Sequence, residues 1–85
     1  MKLRSEPVRR ARVVVPAGVE ARLRADDMVD LTVEVRTAGY VPSGMVVRGR
    51  IVDTILTGAV RASDLDRLDA DPEVVSAVVS RRVGP

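Results

Sequence analysis

The chain has 85 residues and a formal charge of +2; its apolar share is 46%, but Val supplies 18 of those residues, Ala nine, and Tyr40 is the single aromatic. Without Cys there is no disulfide scaffold or thiol chemistry, and without His the commonest metal ligand and the base of Ser-His or Cys-His pairs are missing. A single non-enzymatic, cytoplasmic domain is the expectation, without cofactor or metal, and Val13 to Val19 is far too short for a membrane span or a signal-peptide core.

Charge is unevenly spread. Residues 1–25 carry Lys2, Arg4, Arg9, Arg10, Arg12, Arg22 and Arg24 against Glu6 and Glu20, whereas residues 26–85 are net acidic. The segment from Lys2 to Arg12 is polar, contains Pro7 and follows neither hydrophobic period. It reads as a basic flexible arm, residues 1–12, ahead of one domain at 13–85. Lys2, Arg4, Arg9, Arg10 and Arg12 are its candidates for meeting phosphates or an acidic surface. No aromatic residues interleave with them to stack on bases, which makes nucleic acid the less favoured partner.

A repeat follows. The run Val15-Pro16-Ala17-Gly18 through Asp27 recurs as Val41-Pro42-Ser43-Gly44 through Asp53, and Leu31-Thr32 to Arg36 recurs as Leu56-Thr57 to Arg61. Ten of 21 aligned pairs are identical, against roughly two by chance. The units 15–36 and 41–61 are therefore expected to share one structure, a β-hairpin. In the first unit Val19, Ala21, Leu23 and Ala25 alternate with charged residues, Asp26-Asp27 turns the chain, and Val29, Leu31, Val33 and Val35 return. A helix opened by Pro16, with Val19 and Leu23 one turn apart, is the competing reading; four successive alternations favour the strand. Opposed Arg and Glu on the outer face can pair across the strands.

Thr37 to Gly44 reads as a loop. The second hairpin spans about Met45 to Ala62 and turns near Asp53-Thr54, with Arg48 and Arg50 outward and Val47, Gly49 and Ile51 inward. Gly49 and Gly58 fall inside strand patterns, where a missing side chain marks a bulge or a close approach. One helix follows, capped by Ser63, with Leu65 and Leu68 on one face and Asp71-Pro72 closing it. A last strand from Glu73 to about Arg82 completes the helix–strand unit 63–82, with Val74, Val75, Val78 and Val79 partly buried. The predicted fold is α+β: an antiparallel sheet of two duplicated hairpins and a final strand, covered on one face by a short helix.

Chemistry-bearing patterns are few. Asp64, Asp66, Asp69 and Asp71 lack the glycine bend and terminal Glu of a calcium loop, and read as a solvated acidic helix face. Asp26, Asp27 and Asp53 read as turn residues, and Val41-Pro42-Ser43-Gly44 lacks the Lys of a P-loop. The core is expected to be mostly Val and Ala, each buried Val contributing about 1.5 kcal/mol. Such a core is thin for a chain of this size, so a protein partner or a homo-oligomer is expected to cover the open face or an edge.

The run Thr57-Gly58-Ala59-Val60-Arg61-Ala62-Ser63-Asp64-Leu65-Asp66-Arg67-Leu68, continued by Asp69-Ala70-Asp71-Pro72-Glu73-Val74-Val75-Ser76-Ala77-Val78, resembles the end of a subtilisin-type propeptide. That family comprises small inhibitor and folding-assistant domains of subtilisin-like serine proteases. The resemblance covers about 30 residues, or about 50 if Met28 to Arg36 is the family's first strand. It implies a ferredoxin-like variant lacking the first helix and a sheet face packed on a protease. It also implies that Ser80, Arg81, Arg82, Val83, Gly84 and Pro85 enter the protease cleft as an extended peptide. Backbone pairing would then supply much of the affinity.

Overall fold

Alternation of apolar and polar residues builds the sheet. The computed structural model describes Val8, Arg9 and residues 11–83. Its elements are β1 (Val8–Arg9), β2 (Val13–Val15), α1 (Ala17–Glu20), β3 (Met28–Val35), β4 (Val46–Val52) and β5 (Ile55–Arg61), then a 3-10 turn (Ala62–Asp64), α2 (Leu65–Ala70) and β6 (Val74–Val83). The fold is α+β, with strands ordered β1-β2-β6-β3-β5-β4. On β3, Val29, Leu31, Val33 and Val35 are buried, and Thr32 and Glu34 are exposed. One face thus turns to the core and the other to solvent.

The hairpin expected over residues 15–36 does not form. Pro16 instead opens α1, with the Val19 and Glu20 N–H groups donating to its carbonyl at 3.0 Å. Residues 21–27 form turns, and Val19 and Leu23 pack on the rim of the core while Ala21 and Ala25 are exposed. The reason is competition for an edge. β3 pairs with β5 along seven positions and with β6 along eight, so no edge is left for a strand from residues 19–25. The sheet is also mixed rather than antiparallel, because β2 runs parallel to β6. The second repeat does form its hairpin, since β5 has a free side, and Asp53-Thr54 turns it.

Val8 and Arg9, assigned by sequence to the arm, pair as β1 with Val15 and Val14. The helical segment starts differently from the expectation at Ser63. Ser63 lies in the 3-10 turn, Asp64 occupies the N-cap position, and no side-chain cap bond forms. Loop carbonyls satisfy the leading amides instead: Ala62 N–H donates to Asp27 at 2.7 Å and Ser63 N–H to Ala25 at 2.9 Å. Below, Leu65 and Leu68 are buried against the sheet.

The core holds Val13, Val15, Val29, Leu31, Val33, Val35, Leu56, Val60, Val74 and Val79, with Met45, Leu65 and Leu68. Alanine is a smaller part of it than composition suggests, since only Ala59 and Ala77 are buried. On β6, Val74 and Val79 are buried but Val75 and Val78 are not, at 44% and 51% exposure. A register shift between Glu34 and Val35 leaves Val75 without a partner on β3 and turns it out. On β4 the inward set stops early. The register shift at Val47/Gly49 puts Gly49 in the outward row of Thr57 and Thr32 and Arg50 in the row of Leu56 and Val33, the reverse of the expectation. That at Arg50/Val52 leaves Ile51 unpaired and outside, at 64% exposure.

Candidate partner-binding surface

The face of the sheet opposite α2 is built from the out-pointing residues of five strands. One lateral row runs Val14, Val78, Thr32, Thr57 across β2, β6, β3 and β5. A second runs Ser76, Glu34, Ile55, Val52, and a third Arg81, Asp30, Ala59, Val46 across β6, β3, β5 and β4. Val46, Val52 and Val78 are each more than half exposed. Aliphatic, hydroxyl and charged groups alternate here, a composition suited to a protein surface.

Asp30 is the electrostatic centre of this face. Its side chain is only 16% exposed, and it meets Arg81 Nε at 3.0 Å and Arg48 Nη1 at 3.3 Å. Arg48 comes from β4, with β5 in between; the residue of β5 in that row is Ala59, whose methyl leaves room for the crossing guanidinium. Asp30 Oδ1 accepts no hydrogen bond of regular geometry, so the Arg48 ion pair is its compensation. One carboxylate thus holds two guanidiniums that remain 54% and 75% exposed. Pairs whose guanidiniums stay this exposed stabilise little, about 0.2–1 kcal/mol each; their consequence is a fixed positive pattern on the face.

The expected tail residues divide. Ser80 to Val83 belong to β6 and are not beyond it, with Arg81, Arg82 and Val83 registered on Asp30, Val29 and Met28. Ser80 Oγ donates to the Asp30 carbonyl at 3.2 Å, and Arg82 pairs with Asp27 at 3.6 Å. Gly84 and Pro85 lie outside the described residues, as do Lys2, Arg4 and Arg10, while Arg9 is described by its backbone alone. Arg12 turns inward: its Nη1 donates to the Asp69 carbonyl at 2.7 Å.

Two aspartates of the supposed solvated helix face tie the domain together. Asp69 Oδ1 accepts the Arg12 and Val13 N–H groups at 2.6 and 2.9 Å, and Oδ2 accepts Ala11 N–H at 3.3 Å. Desolvation raises the Asp69 pKa, but the N–H donors of Arg12, Val13 and Ala11, with the Arg12 charge, outweigh it and hold the carboxyl below its ordinary value. Asp71 accepts the Tyr40 hydroxyl at 2.5 Å and the Glu73 N–H at 2.9 Å, fastening the Thr37 to Gly44 loop over the end of α2. Local spacing offers no sign of the Asp69 contacts or of the Tyr40–Asp71 bond, because those donors lie 31 to 58 residues away. Under that loop lies a cleft of about 300 Å³ lined by Tyr40, Pro42, Arg67, Leu68 and Asp71.

The Tyr40 hydroxyl is held protonated, chiefly by its bond to Asp71, then by desolvation and the charges of Asp71 and Glu73, so its pKa lies above 10.0. An unfolded tyrosine ionises near 10.0, so this contribution is fully present below that pH and lost as pH rises through the folded value. Tyr40→Phe is expected to flatten the alkaline limb of a stability-versus-pH curve measured by urea unfolding. An unchanged limb would exclude the contact as its cause.

Among the described residues, no helix is long and apolar enough to cross a membrane, and no three or more acidic groups gather as a metal site. No protein-family model, curated protein or solved structure matches the chain.

Proposed function

We propose that the chain is a non-enzymatic protein-binding module of the subtilisin-propeptide kind, which docks through the sheet face opposite α2 and the end of β6. The observation that carries this reading is the asymmetry of the sheet: α2 and the buried valines occupy one side, and the other presents Val14, Val78, Val46 and Val52 around the Asp30–Arg48–Arg81 cluster. The strand topology supports it as well. The order β6-β3-β5-β4, antiparallel throughout with α2 between β5 and β6, supports reading this part as a ferredoxin-like variant in which a loop replaces the first helix. β1, β2 and α1 are additions to that plan.

Inhibition of a subtilisin-like protease by the purified chain tests the reading. Inhibition at micromolar concentration is expected, and Val78→Glu should weaken it by roughly tenfold or more, because a charge then faces an apolar contact. A chain ending at Val83 separates the tail's share from that of the face. No inhibition by the intact chain at micromolar concentration would sink the proposal. Self-association is the second reading, favoured by the free edge of β4 with Val46, Ile51 and Val52 exposed. Light scattering that shows a 9.2 kDa species at all concentrations removes it. Nucleic-acid binding through the basic arm is the weakest reading, since Arg12 is engaged by Asp69.

A further inference from the structure

We propose that the cleft between residues 21–27 and the end of β6 binds a doubly charged oxyanion of the phosphate class. The cleft measures about 570 Å³ and is lined by Arg22, Arg24 and Arg82, with Asp27 the one carboxylate among the described residues that line it. Three guanidiniums against one carboxylate leave two positive charges, matching a phosphoryl dianion better than a single carboxylate. Planar guanidinium forks also pair bidentately with phosphate oxygens.

The loop that carries the arginines is fastened in place. Asp27 N–H donates to the Arg24 carbonyl at 3.0 Å, and Asp27 Oδ2 accepts the Arg24 N–H at 2.9 Å. The carbonyls of Ala25 and Asp27 accept the Ser63 and Ala62 amides, and Leu23 packs on the core between the two arginines. Asp27 also pairs with Arg82, which fixes the third cation. Arg22 and Arg24 are exposed and form no ion pair among the described residues. Among the described residues their charge thus meets no counter-ion at the mouth of the cleft, which favours an oxyanion there. The end of β6 borders both surfaces, but the arginine cleft lies on the other side of the sheet from the docking face: Arg82 shares its lateral row with buried Val29 and Val60, opposite to Asp30.

The test is a titration of the intact 15N-labelled chain with inorganic phosphate, pyrophosphate, glycerol 3-phosphate and acetate at fixed ionic strength, followed by amide and arginine Nε–H shifts. Saturable shifts confined to residues 21–27 and Arg82 are expected from the phosphates and none from acetate. Arg22→Gln and Arg24→Gln should each weaken binding by roughly tenfold, the loss of one charged hydrogen bond. Tighter binding of glycerol 3-phosphate than of phosphate identifies an esterified source, equal binding a site for the phosphoryl group from either source, and binding of phosphate alone a free ion; all three sustain the proposal. Shifts that fail to saturate, that acetate reproduces, or that survive in the double variant overturn it. An unchanged spectrum elsewhere in the variants shows that the fold is intact.

Discussion

Gly58→Ala is expected to destabilise the domain by roughly 3 kcal/mol or more, at the upper end of overpacking costs. A Cβ at this position would stand 2.2 Å from the Val46 carbonyl oxygen and 3.0 Å from Met45 Cε. The first neighbour is backbone and cannot rotate away, so β4 would have to lift from β5. Gly49→Ala is the control. There the added methyl meets only the Thr57 hydroxyl at 3.2 Å, and the expected change is below about 1 kcal/mol, partly offset because glycine weakens a strand by about 0.5–1 kcal/mol. Both sit in the same hairpin, so propensity alone would move them together. A domain of this size has only about 5–10 kcal/mol in total, and urea midpoints should separate the two variants clearly. A Gly58→Ala midpoint equal to that of Gly49→Ala would show that β4 yields freely.

Removal of the Asp69 carboxylate should have the next largest effect, about 2 kcal/mol in Asp69→Ala. Three backbone donors, from Ala11, Arg12 and Val13, end on its two oxygens. Val13 is fully buried, so its amide would be left without an acceptor, at a cost of about 1–3 kcal/mol per orphaned group. Part of the site is open to water, which can take up the freed amides and keeps the cost low in the summed range. The pH dependence is signed. Because the folded carboxyl ionises below its ordinary 3.8, the unfolded state binds the proton more readily. This stabilisation is complete above that value and fades as pH falls through the folded pKa. Asp69→Ala should therefore lose stability at neutral pH and show a shallower decline on acidification. Parallel acid limbs in the two proteins would mean that Asp69 is not the anchor of β2.

Each of these sites was legible in the sequence to a different degree. Gly58 was visible as a breach in a strand pattern, and a bulge or close approach was its expected meaning. The carbonyl it accommodates could not be named, because the register of β4 against β5 shifts twice. Asp69 read as a solvated helix residue because its partners precede it by 56 to 58 positions. On the open face, the alternation in β3 correctly turned Asp30 outward. Its partners Arg48 and Arg81, however, belong to strands that the chain order does not place around it.

The sequence by itself determined the local periods: the alternation of β3, the hairpin at Asp53-Thr54, the apolar pair Leu65 and Leu68, and the stop at Asp71-Pro72. These depend on neighbours within a few residues, and composition and turn chemistry specify them. Only the tertiary structure decided the fate of residues 15–27. There a strand-like alternation, whose counterpart at 41–53 enters a true hairpin, became a short helix and a run of turns. The edge of β3 it needed was already occupied by β6, brought from the far end of the chain. A strand is completed by its partner's backbone, and no local pattern records which partner arrives.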